Sequence, residues 1–209
     1  MMETTFLTEA GLDEAADILK NGGVVAVPTE TVYGLAANGL DETAVLKIFA
    51  AKGRPENKPI SLFVTDIRAA ALFCRDIPDA AYRLAEVFWP GPLTMILKRR
   101  GNVPDLITAG GDTVGIRVPD NALTLELLRK TDLPLTGTSA NLSGEESAMS
   151  GEEALHIFSG KIDCVVDGGA CTGGVPSTIV DMTREPPKIL RQGGLSREEL
   201  EKAIGMVIQ

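Results

Sequence analysis

The stretch AKGRPENKPISLFV, residues 51–64, places Lys52, Arg54 and Lys58 within seven positions and punctuates them with Gly53, Pro55 and Pro59. Proline biases its predecessor toward extended backbone, and an extended run gives the three cations one parity, so that they project to one side. Cations aimed together repel one another unless an anion sits between them, and phosphate is the usual anion. A solvated surface loop is the competing reading. A second segment, VPTETVYGL, sets Thr29, Glu30, Thr31 and Tyr33 just after a short apolar run. If extended, it turns Thr29 and Thr31 to the same side as the polar rim of a pocket for a small hydroxylated or zwitterionic ligand. A capping turn that starts a helix is the alternative use of the same residues.

Four further segments repeat the theme. In GGDTVGIRVPD, Arg117 alternates with Ile116 and Val118 near a strand end, where a rim ion pair is the commoner role. TGTSANLSG empties a strand into Ser139, Asn141 and Ser143, GGVPSTIVDMT opens a strand on Ser177 and Thr178, and ILRQGG sets Arg191 before a glycine pair. Each alone is ordinary turn chemistry. Six polar, Gly/Pro-rich segments at strand ends point to one site where a ligand approaches backbone and hydroxyls closely.

What is missing narrows the chemistry. There is no GxxxxGKS/T phosphate loop, no GxGxxG fingerprint, no HExxH and no GxSxG elbow. The only histidine, His156, sits at a helical position in EEALHIFSG and reads as structural, so no histidine triad or histidine-rich metal site can form. Cys74, Cys164 and Cys171 are odd in number and lack CxxC spacing, which suggests neither a disulfide framework nor a thiolate zinc site. Any enzyme here works by positioning and electrostatics.

The elements that position these segments follow from periodicity. GLDEAADILKNGG, DETAVLKIFAAKG with Asp41 as N-cap and Gly53 as stop, DIRAAALFC, PDAAYRLAEVFW, NALTLELLRK, GEEALHIFSG and SREELEKAIGMV capped by Ser196 read as helices. VVAVP, PISLFV, PLTMILKRR, TVGIRVP, LPLTGTSAN, DCVVDGG and STIVDMT read as strands. Strands interleaved with helices predict a mixed sheet covered by helices. At 209 residues the chain can bury a substantial core, and no apolar run is long enough to cross a bilayer. The acidic opening MMETTFLTEAGLDEAAD lacks the plan of a secretory signal, so a cytoplasmic protein is expected. The formal net charge of −9 argues against indiscriminate nucleic-acid binding, yet residues 47–58 hold four bases and one acid, which leaves room for a local anion site.

In order and approximate spacing, PTETVYGLAANG, KGRPENKP, IRVP, TSANLSG, PSTIVD and LRQGG resemble the Sua5/YrdC/YciO family, the threonylcarbamoyl-AMP synthases, over nearly the whole chain. The resemblance implies an α/β fold (α+β in some schemes). A single YrdC/RibB-like domain over residues 1–209 would have a twisted, mixed, open sheet flanked by helices around a large cavity. The chain resembles the short form, without the additional C-terminal domain of longer members. The implied activity is that of an ATP-dependent nucleotidyltransferase. L-Threonine, bicarbonate and ATP would give L-threonylcarbamoyladenylate and pyrophosphate, and partner proteins would then place the threonylcarbamoyl group on adenosine 37 of tRNA.

Carried over by position, the family pattern sets Thr31 and Ser177 on the threonine, with Arg117 as partner of its carboxylate. Tyr33, Phe63 and Gly137 complete that side. Arg54, Lys58, Thr113, Ser139, Asn141 and Arg191 would surround ATP, and Lys52 and Arg54 would be the catalytic cations. Mg²⁺ would accompany the triphosphate, held mostly by phosphate oxygens and water, with no metal site of the protein's own. The chain departs from longer members, which have NPLIVH after KGRP: Lys58 stands for an asparagine and Phe63 for a histidine that touches threonine. Two rivals follow. One is a YciO-like nucleotide-binding paralogue without threonine activity. The other is a module for double-stranded RNA or tRNA, motivated by the bases at 47–58 and 98–100.

Overall fold

Apolar runs this short, cut by Gly, Pro and Asn, make brief strands, and the sheet they build is wide rather than deep. A computed structural model describes residues 3–209. In chain order the elements are β1 (Thr5–Leu7), α1 (Leu12–Lys20), β2 (Val25–Val27), β3 (Gly34–Ala36), α2 (Glu42–Lys52), β4 (Ser61–Phe63), α3 (Ile67–Ala70), β5 (Cys74–Arg75), α4 (Asp79–Phe88) and β6 (Leu93–Arg99). They continue with α5 (Asp105–Thr108), β7 (Thr113–Arg117), α6 (Ala122–Thr131), β8 (Leu135–Ser139), α7 (Gly151–Phe158), β9 (Cys164–Val166), β10 (Thr178–Asp181), β11 (Lys188–Arg191) and α8 (Arg197–Ile204).

The strands form one sheet in the order β1-β9-β2-β3-β8-β4-β7-β6-β10-β11, with β5 paired to the far end of β6. The sheet is mixed and open, as expected. β1/β9, β2/β9, β4/β7 and β6/β10 are parallel and the other neighbours antiparallel. Side chains alternate across a strand, so the sheet feeds two apolar clusters. Val25, Val27, Phe63 and Leu135 pack with Leu19 of α1 and Leu127 of α6 on one face. Ala26 and Leu62 pack with Ile48 of α2, Leu84 of α4, Phe158 of α7 and Leu200 of α8 on the other.

The helix signals work as read. Asp41 accepts from Thr43 N, Asn121 accepts from Leu123 N and Thr124 N, and Ser196 with Glu199 forms a capping box. No described helix is long and apolar enough to cross a membrane.

Three expectations are corrected. DIRAAALFC is helical only over Ile67–Ala70, because Cys74 and Arg75 are drawn into pairing with Arg99 and Lys98. VPTETV is not extended: the Thr29 hydroxyl accepts from Thr31 N at 3.1 Å and Val32 N at 3.2 Å and so caps a turn. The cations of KGRPENKP do not share a side. Helical hydrogen bonding carries α2 through Lys52, Gly53 reverses the chain at φ +58°, and Lys58 N donates to Pro55 O in a turn.

Candidate functional site

A cavity opens where β8 joins the two parts of the sheet, pairing β3 on one side and β4 on the other. It crosses the sheet from the turn before β3 to β11, so residues distant in sequence line one space. Of the site residues expected from sequence, the cavity gathers Thr31, Tyr33, Arg54, Phe63, Arg117, Gly137, Ser139, Ser177 and Arg191. Lys52, Lys58, Thr113 and Asn141 are not part of its lining.

At one corner stands Arg117, the last residue of β7 and 7% exposed. Its Nη2 donates to Glu30 Oε1 at 2.7 Å and to Thr31 Oγ1 at 3.1 Å, and its Nε donates to Gly91 O at 3.2 Å. Nη1 is left without a protein acceptor among the described residues. Glu30 stands behind the cavity wall, with Oε2 accepting from Asp120 N at 3.1 Å. The hydroxyl protons can be assigned by count. Thr29 has one, and Val32 O takes it at 2.6 Å, so in the 2.9 Å contact between the Thr29 and Thr31 hydroxyls Thr31 is the donor. A ligand oxygen beside Arg117 would find Nη1, and the Thr31 hydroxyl can turn its one proton from Thr29 to the same ligand, a pair suited to a carboxylate.

The second corner has a similar guanidinium–hydroxyl pair but no acid. Arg191 Nη2 donates to Ser177 O at 2.8 Å and Ser177 Oγ at 3.1 Å, Nε donates to Ser177 O at 3.1 Å, and Nη1 again has no acceptor among the described residues. Ser177 Oγ lies 2.9 Å from Thr94 Oγ1, so these hydroxyls share one hydrogen bond and keep one proton for the cavity. Partial burial, and after it the Arg117 guanidinium, lower the pKa of Arg191. No carboxylate relieves it among the described residues. Thr94 was not singled out from the sequence, since one threonine in the apolar strand LTMILKR carries no signal.

Arg54 also lines the cavity. Its Nη2 donates to Pro59 O at 3.0 Å, while Nε is buried and has no hydrogen-bond partner. A buried charged donor with an unmade bond is costly unless a ligand completes it. Lys52 behaves differently. The residue is 2% exposed, and its ammonium donates to Ser139 O, to Asn141 O at 2.8 Å and to Asn141 Oδ1 at 3.4 Å. It thereby clamps the turn after β8, and Ser143 N donates back to Lys52 O at 2.9 Å. Asn141 Nδ2 is spent on Leu142 O and Glu145 O, and its Oδ1 accepts from Ser139 Oγ at 2.5 Å. Lys58 is exposed, and Thr113 lies at the opposite end of β7 from Arg117.

Phe63 and Gly137 form a matched wall. A Cβ at Gly137 would lie 2.4 Å from Phe63 Cε1, so only glycine admits the ring. The Arg117 guanidinium carbon sits 5.8 Å from the ring centre, within reach of a cation–π contact. Tyr33 lines the cavity but turns its hydroxyl away, donating to Gly169 O at 2.9 Å and accepting from Gly168 N at 3.0 Å. Burial pushes its pKa up to about 12. It tethers the glycine-rich segment 168–174, whose Gly173 and Gly174 amides donate to Glu30 O and Thr31 O. His156 is exposed on α7 and does not line the cavity.

The basic residues 98–100 are engaged elsewhere. Lys98 pairs with Asp76 at 3.6 Å, Arg99 pairs with Asp105, and Arg100 Nε donates to the carbonyls of Ala71 and Cys74. No group of three or more His, Cys, Asp or Glu side chains able to hold a metal occurs among the described residues.

Residues 17–193 match the family model of Sua5, YciO and YrdC, described as telomere recombination. The chain is 46% identical over 193 residues to the threonylcarbamoyl-AMP synthase of Pyrococcus abyssi, covering 92% of this chain and 57% of that protein. It is 42% identical over 195 residues to the threonylcarbamoyl-AMP synthase of Bacillus subtilis, covering 93% and 56%. The chain thus spans little more than half the length of these curated relatives. Among solved structures, P. abyssi Sua5 complexed with L-threonine superposes with a TM-score of 0.93 at 43% identity, over 99% of this chain and 62% of that one. E. coli YciO superposes with a TM-score of 0.83 at 26% identity, over 98% and 100%.

Proposed function

The chain belongs to the Sua5/YciO/YrdC family, and from that membership we propose that it makes L-threonylcarbamoyladenylate and pyrophosphate from L-threonine, bicarbonate and ATP. The observation that carries this reading is the cavity itself. Two guanidinium–hydroxyl corners face it, and Arg54, with its unpartnered Nε, lines the same cavity. The Arg117 corner suits a carboxylate; in the other corner Ser177, expected on the threonine, is instead bonded by Arg191, and that guanidinium, like the one of Arg54, suits phosphates.

In this assignment the threonine carboxylate lies on Arg117 Nη1 and the Thr31 hydroxyl. The neutral amine attacks carbon dioxide derived from bicarbonate, an N–C bond forms, and an amine proton is released to water, since no histidine lines the cavity. A carbamate oxygen then attacks the α-phosphorus in line. The bond to the bridging oxygen breaks, and its electron pair leaves on pyrophosphate. Charge grows on the non-bridging and leaving oxygens, where Arg54 and Arg191 act as fixed donors. Lys52 and the Ser139–Asn141 turn hold the wall beside them. Among the described residues no group of three or more His, Cys, Asp or Glu side chains is placed to hold a metal; Mg²⁺ would enter and leave with the triphosphate, and no step is assigned to it. The adenylate would pass to proteins that modify adenosine 37 of tRNA.

The purified protein should release pyrophosphate from ATP only when L-threonine and bicarbonate are both present. Equal release without threonine would remove the assignment. A YciO-like role without threonine activity is the second reading, favoured by Phe63, whose apolar ring forms part of the wall. Calorimetric titration with L-threonine beside a nonhydrolysable ATP analogue separates the two: the synthase binds threonine, and the paralogue does not.

A further inference from the structure

The two corners are built alike and differ in one group. Each has an arginine with one free Nη1, and each has a hydroxyl that takes a bond from that arginine's Nη2. Only Arg117 also has a carboxylate, that of Glu30 at 2.7 Å. Glu30 is not among the residues that line the cavity. It acts through Arg117.

We propose that Glu30 is a specificity-determining residue: by opposing the charge of Arg117 it keeps phosphate groups out of that corner, leaves room there for a single carboxylate, and confines the polyphosphate to the part of the cavity that has no carboxylate, at Arg191. The inference rests on assigning the Arg117 corner to the amino acid. Its physics is simple. An anion on Nη1 sits across one guanidinium from the Glu30 carboxylate, roughly 6 Å away. At an effective dielectric of about 20, each negative charge at that distance is disfavoured by about a hundredfold. A monoanionic carboxylate meets this once and recovers it through Nη1 and the Thr31 hydroxyl. Pyrophosphate or a triphosphate meets it several times over. At Arg191 no carboxylate among the described residues opposes a multiply charged ligand. Without such asymmetry ATP or pyrophosphate could bind across both corners and shut out the amino acid.

The test is a calorimetric titration of the intact protein with inorganic pyrophosphate, alone and with L-threonine present. The wild type should bind one pyrophosphate per chain, and saturating L-threonine should leave that affinity unchanged. Glu30→Gln keeps an acceptor for Arg117 Nη2 and removes the charge. It should bind a second pyrophosphate, at least about tenfold more tightly than any second site in the wild type, and L-threonine should displace it. Adding Arg117→Gln should abolish this second site. A purely structural Glu30 would weaken ligands without creating a site, so one pyrophosphate per chain in a folded Glu30→Gln overturns the proposal. Should that variant fail to fold, the wild type still decides: pyrophosphate competing with L-threonine there overturns the proposal, and independent binding supports it. The pyrophosphate stoichiometry needs neither turnover nor threonine. A protein that is inactive as a synthase but gains a second seat in Glu30→Gln would therefore sink the functional reading and leave this inference standing.

Discussion

Lys52 and Arg54 stand two residues apart in one basic stretch, and the fold uses them in opposite ways. Both are withdrawn from water, and burial lowers the pKa of each. Lys52 falls to about 7, chiefly through burial and then through the Arg54 guanidinium. Its ammonium nevertheless has acceptors around it, Ser139 O, Asn141 O and Asn141 Oδ1, and it ties the end of α2 to the turn after β8. Arg54 lies beyond the Gly53 reversal and keeps a buried Nε with no partner. A buried cation with its hydrogen bonds made holds architecture, while one with a bond unmade is reserved for something that arrives. Arg117 and Arg191 extend the contrast, each spending two nitrogens on the protein and keeping Nη1 free.

The largest expected effect falls on the reserved cation. Arg54→Ala should lower kcat/KM for ATP by about a hundred- to a thousandfold, while urea denaturation shows a stability change of less than about 1 kcal/mol. Equal losses in activity and stability would erase the distinction from Lys52. Lys52→Met should do the reverse first, costing about 2 kcal/mol of stability at pH 7 by leaving the carbonyls of Ser139 and Asn141 unpaired.

The pH dependence sharpens this contrast. Lys52 binds its proton less tightly in the folded chain (about 7) than in the unfolded one (10.5). Its contribution therefore rises with pH between those values and is lost as pH falls through about 7. Denaturation curves at pH 6.5 and pH 9 should show the wild type gaining on Lys52→Met at the higher pH. A constant gap would mean that the carbonyl acceptors keep the ammonium charged throughout. The smallest effect belongs to Thr94→Val, which removes one partner of the Ser177 hydroxyl. It should change KM by about fivefold, worth about 1 kcal/mol, with kcat nearly unchanged.

Much of the fold was legible because its signals are local. Asp41 and Gly53 bracket α2, Asn121 starts α6, and the Ser196–Glu199 box starts α8, each through atoms within a few residues. β6 and β7 show in their apolar content. β1, β3 and β11 were not read as strands. β1 and β3 are three residues long and pair with strands far away, as Thr5 with Cys164 and Gly34 with Ser139, and β11 is a four-residue edge strand beside β10. The six polar segments do converge on one region, yet parity misjudged the most basic of them, because it assumed extended backbone where α2 continues through Lys52.

Residue order alone settles the longer helices, most of the strands, the absence of a histidine mechanism and the segments from which an anion site must be built. All of these depend on composition, on periodicity or on contacts a turn apart. Which cation is free and which is spent depends on the tertiary structure. The acceptors that decide it lie 87 positions away for Lys52 with Ser139 and 87 for Arg117 with Glu30, distances that only the pairing of β8 with β3 and β4 and the packing of α2 can close. A hydrogen bond satisfies a charge through a particular atom, and only the folded chain says which atom that is.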